Sequence, residues 1–171
     1  LITARQIEQY GFESVGEALS SLSGLDILHD QLQYNLGVRG INAGMRGCSR
    51  IVKVMIAGQS VAFRPNSENF LGGELMPMQA VERIEVVRGP SSALYGANAY
   101  LGVINVIPRR GERIDGIELR TGLGLVQGHP SYDLGLLWGK KIGRVDYLVS
   151  VRGQFADRSG LRPRDLPGEG R

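Results

Sequence analysis

Two histidines and one cysteine are all that this sequence of 171 residues offers for a His/Cys metal site. His29 and His129 stand 100 positions apart, each beside turn-like sequence, and read as solvated loop residues. No zinc spacing exists. Gly-x-Ser-x-Gly is absent, so there is no nucleophile elbow. The glycines from Gly122 to Gly128 imitate a dinucleotide loop, but one residue too long and inside an alternating strand. The stretch Gly135 to Lys140 lacks the spacing and hydroxyl of a phosphate loop. Carboxylates are scattered. No catalytic residue, metal set or cofactor follows from these residues. The chemistry that remains is ionic. Glu82, Arg83, Glu85 and Arg88 alternate with Ile84, Val86 and Val87, and offer ion pairs within the domain or to a neighbour. A solvated sheet face accounts for them equally well.

The elements that would carry these charges come next. Thr3-Ala4-Arg5-Gln6 reads as a capping box that opens a short helix to about Tyr10, ended by Gly11. Ser14 to Glu17 reads as a second box, with Val15, Ala18, Leu19 and Leu22 at helical spacing and Gly24 as the stop. Leu25–Leu28, Tyr34–Val38, Ile51–Ile56, Val81–Val87 and Val103–Ile107 read as strands. Residues 59–76 read as a long loop, and Pro90 to Tyr95 as a helical turn. This gives a small α+β domain of about 110 residues.

From Ile117 the pattern changes to period two, three times over. Ile117, Leu119, Thr121, Leu123 and Leu125 share one face. So do Tyr132, Leu134, Leu136 and Trp138, and then Val145, Tyr147, Val149, Val151 and Phe155. The other faces carry Glu118, Arg120, Asp133, Asp146, Arg152 and glycine. Gly128–Pro130 and Lys140–Arg144 supply the turns. A soluble antiparallel sheet has this alternation. So does a transmembrane β-strand, which needs about 9–11 residues. Three strands cannot close a barrel.

Composition narrows the classes. Glycine, 25 of 171, is at twice its usual share of ~7%. The charge of +3 comes without a polybasic run, which argues against nucleic acid. Cys48 has no partner for an internal disulfide and is free or paired outside the chain. No apolar run reaches the ~18 residues of a membrane helix. The chain begins at Leu1 with no visible signal peptide and reads as a trimmed piece.

The run Glu82-Arg83-Ile84-Glu85-Val86-Val87-Arg88-Gly89-Pro90, then Ala93-Leu94-Tyr95-Gly96, then Gly102-Val103-Ile104-Asn105-Val106-Ile107, closely resembles the plug domain of TonB-dependent outer-membrane receptors. Thr3–Gln6, Ser14–Leu28, Val38-Arg39-Gly40 and Val54–Val61 resemble further pieces of that domain, in order. Ala57 stands where the family usually has Asp, so a turn bond from that carboxylate is missing. The resemblance covers residues 1–110 and turns the reading of the later strands toward a membrane barrel.

The resemblance implies a plug domain at 1–111 and the start of a β-barrel, about three strands, at 112–171. It implies a receptor in the outer membrane, with the plug in the barrel lumen facing the periplasm, and not an enzyme. Partners would be TonB (through a box upstream of Leu1), the remaining barrel, outer-membrane lipid and a ligand that arrives with its metal already chelated. Arg39 and Arg88 match plug arginines that pair with barrel glutamates. With Arg83 and Glu85 they form the candidate plug–barrel latch. Removing one partner of a buried pair costs ~3–5 kcal/mol, so a few such contacts hold yet yield to mechanical work. The loops 41–49 and 59–75 match loops that contact ligand, which makes Asn42, Met45, Arg46, Arg64 and Asn66 the ligand-contact candidates. Arg46, Arg50 and Arg64 favour an anionic ligand such as a ferric siderophore. Cobalamin and haem are alternative ligands. A stand-alone soluble α+β binding module is the alternative of a different class.

Overall fold

A computed structural model of the chain describes residues 1–29, 34–41, 51–61, 70–126 and 129–156. The chain divides into two compact units, Leu1–Arg110 and Gly111–Arg171.

The first unit opens with β1 (Ile2–Thr3) and α1 (Ala4–Tyr10). Thr3 caps α1 with both arms of the capping box, and Gly11 closes it at φ 66°. In α2 (Val15–Ser20) only half of the expected box forms. Ser14 Oγ accepts from the Glu17 N–H, but the Glu17 carboxylate takes the Glu13 N–H at 2.8 Å. Helix α2 also stops at Ser20, short of Gly24, and one further turn bond runs from the Leu22 N–H to the Leu19 carbonyl. Strands β2 (Leu25–His29) and β3 (Tyr34–Val38) pair as a separate antiparallel ribbon.

The main sheet is built from β1, β4 (Val52–Ile56), β5 (Gln59–Ser60), β6 (Val81–Arg88) and β7 (Gly102–Pro108) in the order β1-β6-β7-β4-β5. Strands β4 and β7 are parallel; the other pairs are antiparallel. Gln59–Ser60 thus corrects the expected loop over 59–76, because the tight turn after Ile56 folds them back onto β4. A 3₁₀ turn (Met78–Ala80) leads into β6, and α3 (Ser92–Tyr95) bridges β6 to β7.

Alternation along the strands sets the two faces of this sheet. Val52, Val54, Ile84, Ile104 and Val106 face a core with Ile7, Val15, Leu19, Leu36 and Leu71. Each such aliphatic side chain contributes roughly 1.5–3 kcal/mol by leaving water. The other face carries a smaller cluster of Met55, Ala99 and Val103, beside polar residues.

The second unit is a meander of β8 (Gly116–Val126), β9 (His129–Ile142) and β10 (Val145–Ala156), preceded by α4 (Gly111–Ile114). The strands have 11, 14 and 12 residues, longer than the sequence pattern implied. The difference lies at the turns. His129 and Pro130 belong to β9, and Lys140 to Ile142 extend it, leaving only Gly143-Arg144 as the β9–β10 loop. Gly143 takes φ 61°, as the first residue of a two-residue hairpin loop often does.

Candidate functional site

Arg39 and Arg88 approach the same corner of the first unit, around Gly24. Val38 and Ile41 exchange both backbone hydrogen bonds at 3.0 Å, so Arg39-Gly40 is a two-residue hairpin loop. Both loop residues have positive φ, 52° and 77°. For arginine that conformation costs about 1–2 kcal/mol. Two bonds from the start of β2 hold it: the Arg39 N–H donates to the Gly24 carbonyl at 3.1 Å, and the Gly40 N–H to the Asp26 carboxylate at 3.1 Å. The Arg88 guanidinium passes 3.9 Å from the point a Gly24 Cβ would occupy. Both arginines are exposed residues, and among the described residues no carboxylate lies within ion-pair distance of either.

Arg83 and Glu85 lie on the outer face of β6 and pair with each other. Arg83 Nε donates to Glu85 Oε1 at 2.8 Å, and Arg83 Nη1 lies 3.5 Å from Glu82. Glu85 sits opposite Asn105 in the β6–β7 register. The Asn105 amide donates to Glu85 Oε2 at 3.2 Å, and its Oδ1 accepts the Gly58 N–H at 2.9 Å. One side chain on β7 therefore bridges β6 and the β4–β5 turn. The Arg83 hydrogen bond, the largest cause, holds the Glu85 carboxyl below its ordinary value, against some desolvation and with help from Asn105. On the same face Lys53 Nζ donates to the Tyr95 carbonyl at 2.5 Å and so tethers α3.

Ala57 and Gly58 form the β4–β5 turn with φ 50° and 80°. Asn or Asp suits the first of these positions because a short polar side chain tolerates the left-handed region. Here alanine takes it. The Ala57 N–H bonds the Val106 carbonyl at 2.9 Å, and the Asn105 side chain holds Gly58.

In the second unit the two faces of the sheet are reversed from those of a water-soluble sheet. The register stacks Leu119, Leu136 and Val151 in one row and Leu123, Tyr132 and Phe155 in another. This apolar face is open: Leu123 is 85% exposed, Leu119 64% and Val151 62%. The opposite face holds charge, with Arg152 bonded to Asp133 at 2.6 Å, yet Leu137 on it is fully buried. Helix α4 lies on that face. A Cβ on Gly139 would meet Gly111 Cα at 2.8 Å, so the glycines permit the approach. Lys141 pairs with Glu112, and the Glu112 N–H donates to Asp146 at 2.9 Å. Tyr132 and Phe155 pair near one end, and Trp138 and Tyr147 lie toward the other. The eight steps from Tyr132 to Lys140 cover about 27 Å of strand at ~3.4 Å each, in the range of a lipid-facing band.

The TonB-dependent receptor plug domain family matches residues 1–103. The chain belongs to that family. It is 34% identical over 118 residues to the iron-regulated outer membrane virulence protein of Vibrio cholerae, covering 66% of this chain and 17% of that relative. It is 29% identical over 170 residues to the vitamin B12 transporter BtuB of Vibrio cholerae, covering 98% of this chain and 26% of BtuB. The fold is similar to that of the ferric enterobactin receptor PfeA of Pseudomonas aeruginosa, with TM-score 0.65 and 20% identity over 87% of this chain and 23% of that one. The chain thus spans about a quarter or less of the length of these proteins. The small mixed sheet with short helices is the plug fold, and three antiparallel strands follow it.

The plug's ligand-contact candidates Asn42, Met45, Arg46, Arg64 and Asn66 lie outside the described residues, as do Cys48 and Arg50. Among the described residues no group of three His, Cys, Asp or Glu could hold a metal ion. The sequence reading missed Asp26 and Asn105. Each is a lone polar residue among Leu, Ile or Val of a strand, and that interruption was the available signal.

Proposed function

We propose that residues 1–111 are the gating plug, and 112–171 the first strands, of a TonB-dependent receptor that imports a scarce ligand across the outer membrane. The observation that carries this reading is the sequel to the plug: a sheet with its apolar face open and α4 resting on part of its charged face. Water would make such a sheet costly; hydrocarbon makes it favourable. The plug then occupies the lumen toward the periplasm, and TonB engages it through a box on the N-terminal side. Among the described residues no carboxylate pairs with Arg39 or Arg88, which supports their availability to barrel carboxylates. Arg83 and Glu85 already satisfy one another and would join the latch only by exchanging partners.

The ligand class is a ferric siderophore. The iron-regulated relative and the basic candidates Arg46 and Arg64 support it, since an anionic chelate forms charge-assisted bonds with guanidinium. Cobalamin is the second reading, favoured by the alignment with the vitamin B12 transporter over 98% of the chain. The deciding experiment is uptake by cells that depend on the complete receptor, with ferric siderophores, haem and cobalamin offered separately. TonB-dependent uptake of an iron chelate is expected. Cobalamin uptake alone would replace the ligand class, and no TonB-dependent uptake of any of them would remove the receptor reading.

A further inference from the structure

Strand β9 ends with two lysines on opposite faces of the sheet. Lys141 is on the charged face and pairs with Glu112 of α4. Lys140 is on the apolar face, in one row with Leu136, Trp138 and Ile142. It stands directly opposite Tyr147, and Ile142 stands opposite Val145. The Gly143-Arg144 loop closes the two strands just beyond. Lys140 and Arg144 are both exposed, and among the described residues neither side chain has an ion-pair partner. A lysine on a lipid-facing surface is costly at mid-membrane and nearly free at the interface. Trp138 and Tyr147 flank Lys140, and such rings sit at headgroup level. The lysine stem lies on apolar surface while its ammonium reaches out of it. Two strand steps, roughly 7 Å, separate Lys140 from the pair that the loop closes, so its ammonium and the Arg144 guanidinium can reach one phosphate. Ile142, Val145 and Tyr147 are exposed beside these two charges. A small anion needs only the charges; a lipid uses the apolar surface as well.

We propose that Lys140 and Arg144, flanked by Trp138 and Tyr147, form a site for the headgroup of an anionic phospholipid in the periplasmic leaflet. The leaflet and the lipid rest on the receptor reading above. Helix α4, the start of β8 and the two-residue loop share one end of the sheet, and short turns lie on the periplasmic side of such barrels. The phosphate takes charge-assisted bonds from both cations, and the acyl chains lie along the open apolar face.

The test is native mass spectrometry of the complete receptor, folded in vesicles, taken into micelles and titrated with single lipids. The probes are dioleoyl phosphatidylglycerol and, as the neutral reference, dioleoyl phosphatidylcholine. The first glycerol lipid should bind at least about tenfold more tightly than the choline lipid. Each basic residue at such a surface is worth about fivefold, so Lys140→Gln combined with Arg144→Gln should weaken phosphatidylglycerol roughly 25-fold and leave phosphatidylcholine unchanged. Lys140→Arg should keep the affinity. Lys141→Gln removes the same charge from the other face and should change nothing. Equal affinity for the two lipids, or an unchanged affinity in the double variant, would overturn the site. An equal loss in Lys141→Gln would overturn it too, because net charge rather than position would then decide. Displacement of the lipid by glycerol phosphate, a headgroup without chains, would make this a site for free phosphate and overturn the lipid assignment. Each of these results leaves the receptor reading standing, whereas a chain that enters no vesicle would remove both.

Discussion

Single residues in this plug carry strain and charge that can be moved independently. Ala57 holds a left-handed conformation that Asn occupies more readily. Ala57→Asn should stabilise the β4–β5 turn by about 0.5–1 kcal/mol, part of the ~1–2 kcal/mol an L-residue loses there. Slower exchange at Gln59 and Ser60 would report it; exchange as fast as in the parent would mean the turn stores no such strain. Glu85 gives a pH dependence with a definite sign. Its carboxyl titrates below the ordinary 4.5 in the folded plug, so the ionised form is favoured by folding. The stabilisation is present above the unfolded value and is lost as pH falls through the folded one. Arg83 and the amino terminus are the charges that act on it, with Asn105 from β7 as a further hydrogen-bond donor. Glu85→Gln should therefore flatten the acid limb of plug stability, measured by denaturant midpoints below pH 5. The effect is small because both partners are 38% exposed and screened by water.

At the scale of elements, the glycines matter through what crosses them. Helix α4 rests on β9 because Gly111 and Gly139 lack side chains. A Cβ on Gly111 would overlap the Tyr147 carbonyl, so Gly111→Ala should lift α4 and break the bond from the Glu112 N–H to Asp146. Exchange at Glu112 should rise at least about tenfold, while the β9–β10 ladder stays protected. Protection of Glu112 equal to the parent's would mean α4 is held by its ion pair alone. The legibility of these elements follows the range of the interaction that makes them. Helix α1 was readable because Thr3, Gln6 and Gly11 are local signals. Strands β8 to β10 were readable because one face is apolar throughout. Strand β1 was not, since Ile2-Thr3 is a strand only through β6, and α4 was not, since its four residues depend on Gly139 across the sheet. The charges near Arg83 were visible as a group. Their partition into an Arg83–Glu85 pair and an Arg88 with no carboxylate partner among the described residues was not, because it depends on the β6–β7 register and on Asn105. Arg39 was visible only by resemblance; the Asp26 bond that holds its loop needs the β2–β3 pairing.

For the whole molecule the decisive property is which face of the second sheet meets water. Val151 and Arg152 are neighbours on β10, yet they point to opposite faces. The chain already carries an arginine at one of them, bonded to Asp133. If the apolar face meets lipid, moving the charge by one residue is expensive: Val151→Arg should destabilise the complete receptor by about 2–4 kcal/mol, the cost of arginine near the bilayer midplane. Gln154→Arg puts the same side chain on the charged face, across from Asp133, and should leave folding unchanged. Folding yields and urea midpoints in lipid vesicles measure both. In a soluble sheet Val151, at 62% exposure, would accept arginine without loss. Equal stability of the two variants would thus remove the membrane assignment of these strands. A large loss confined to Val151→Arg ties the open apolar face to lipid and makes the charged face the wall of a lumen.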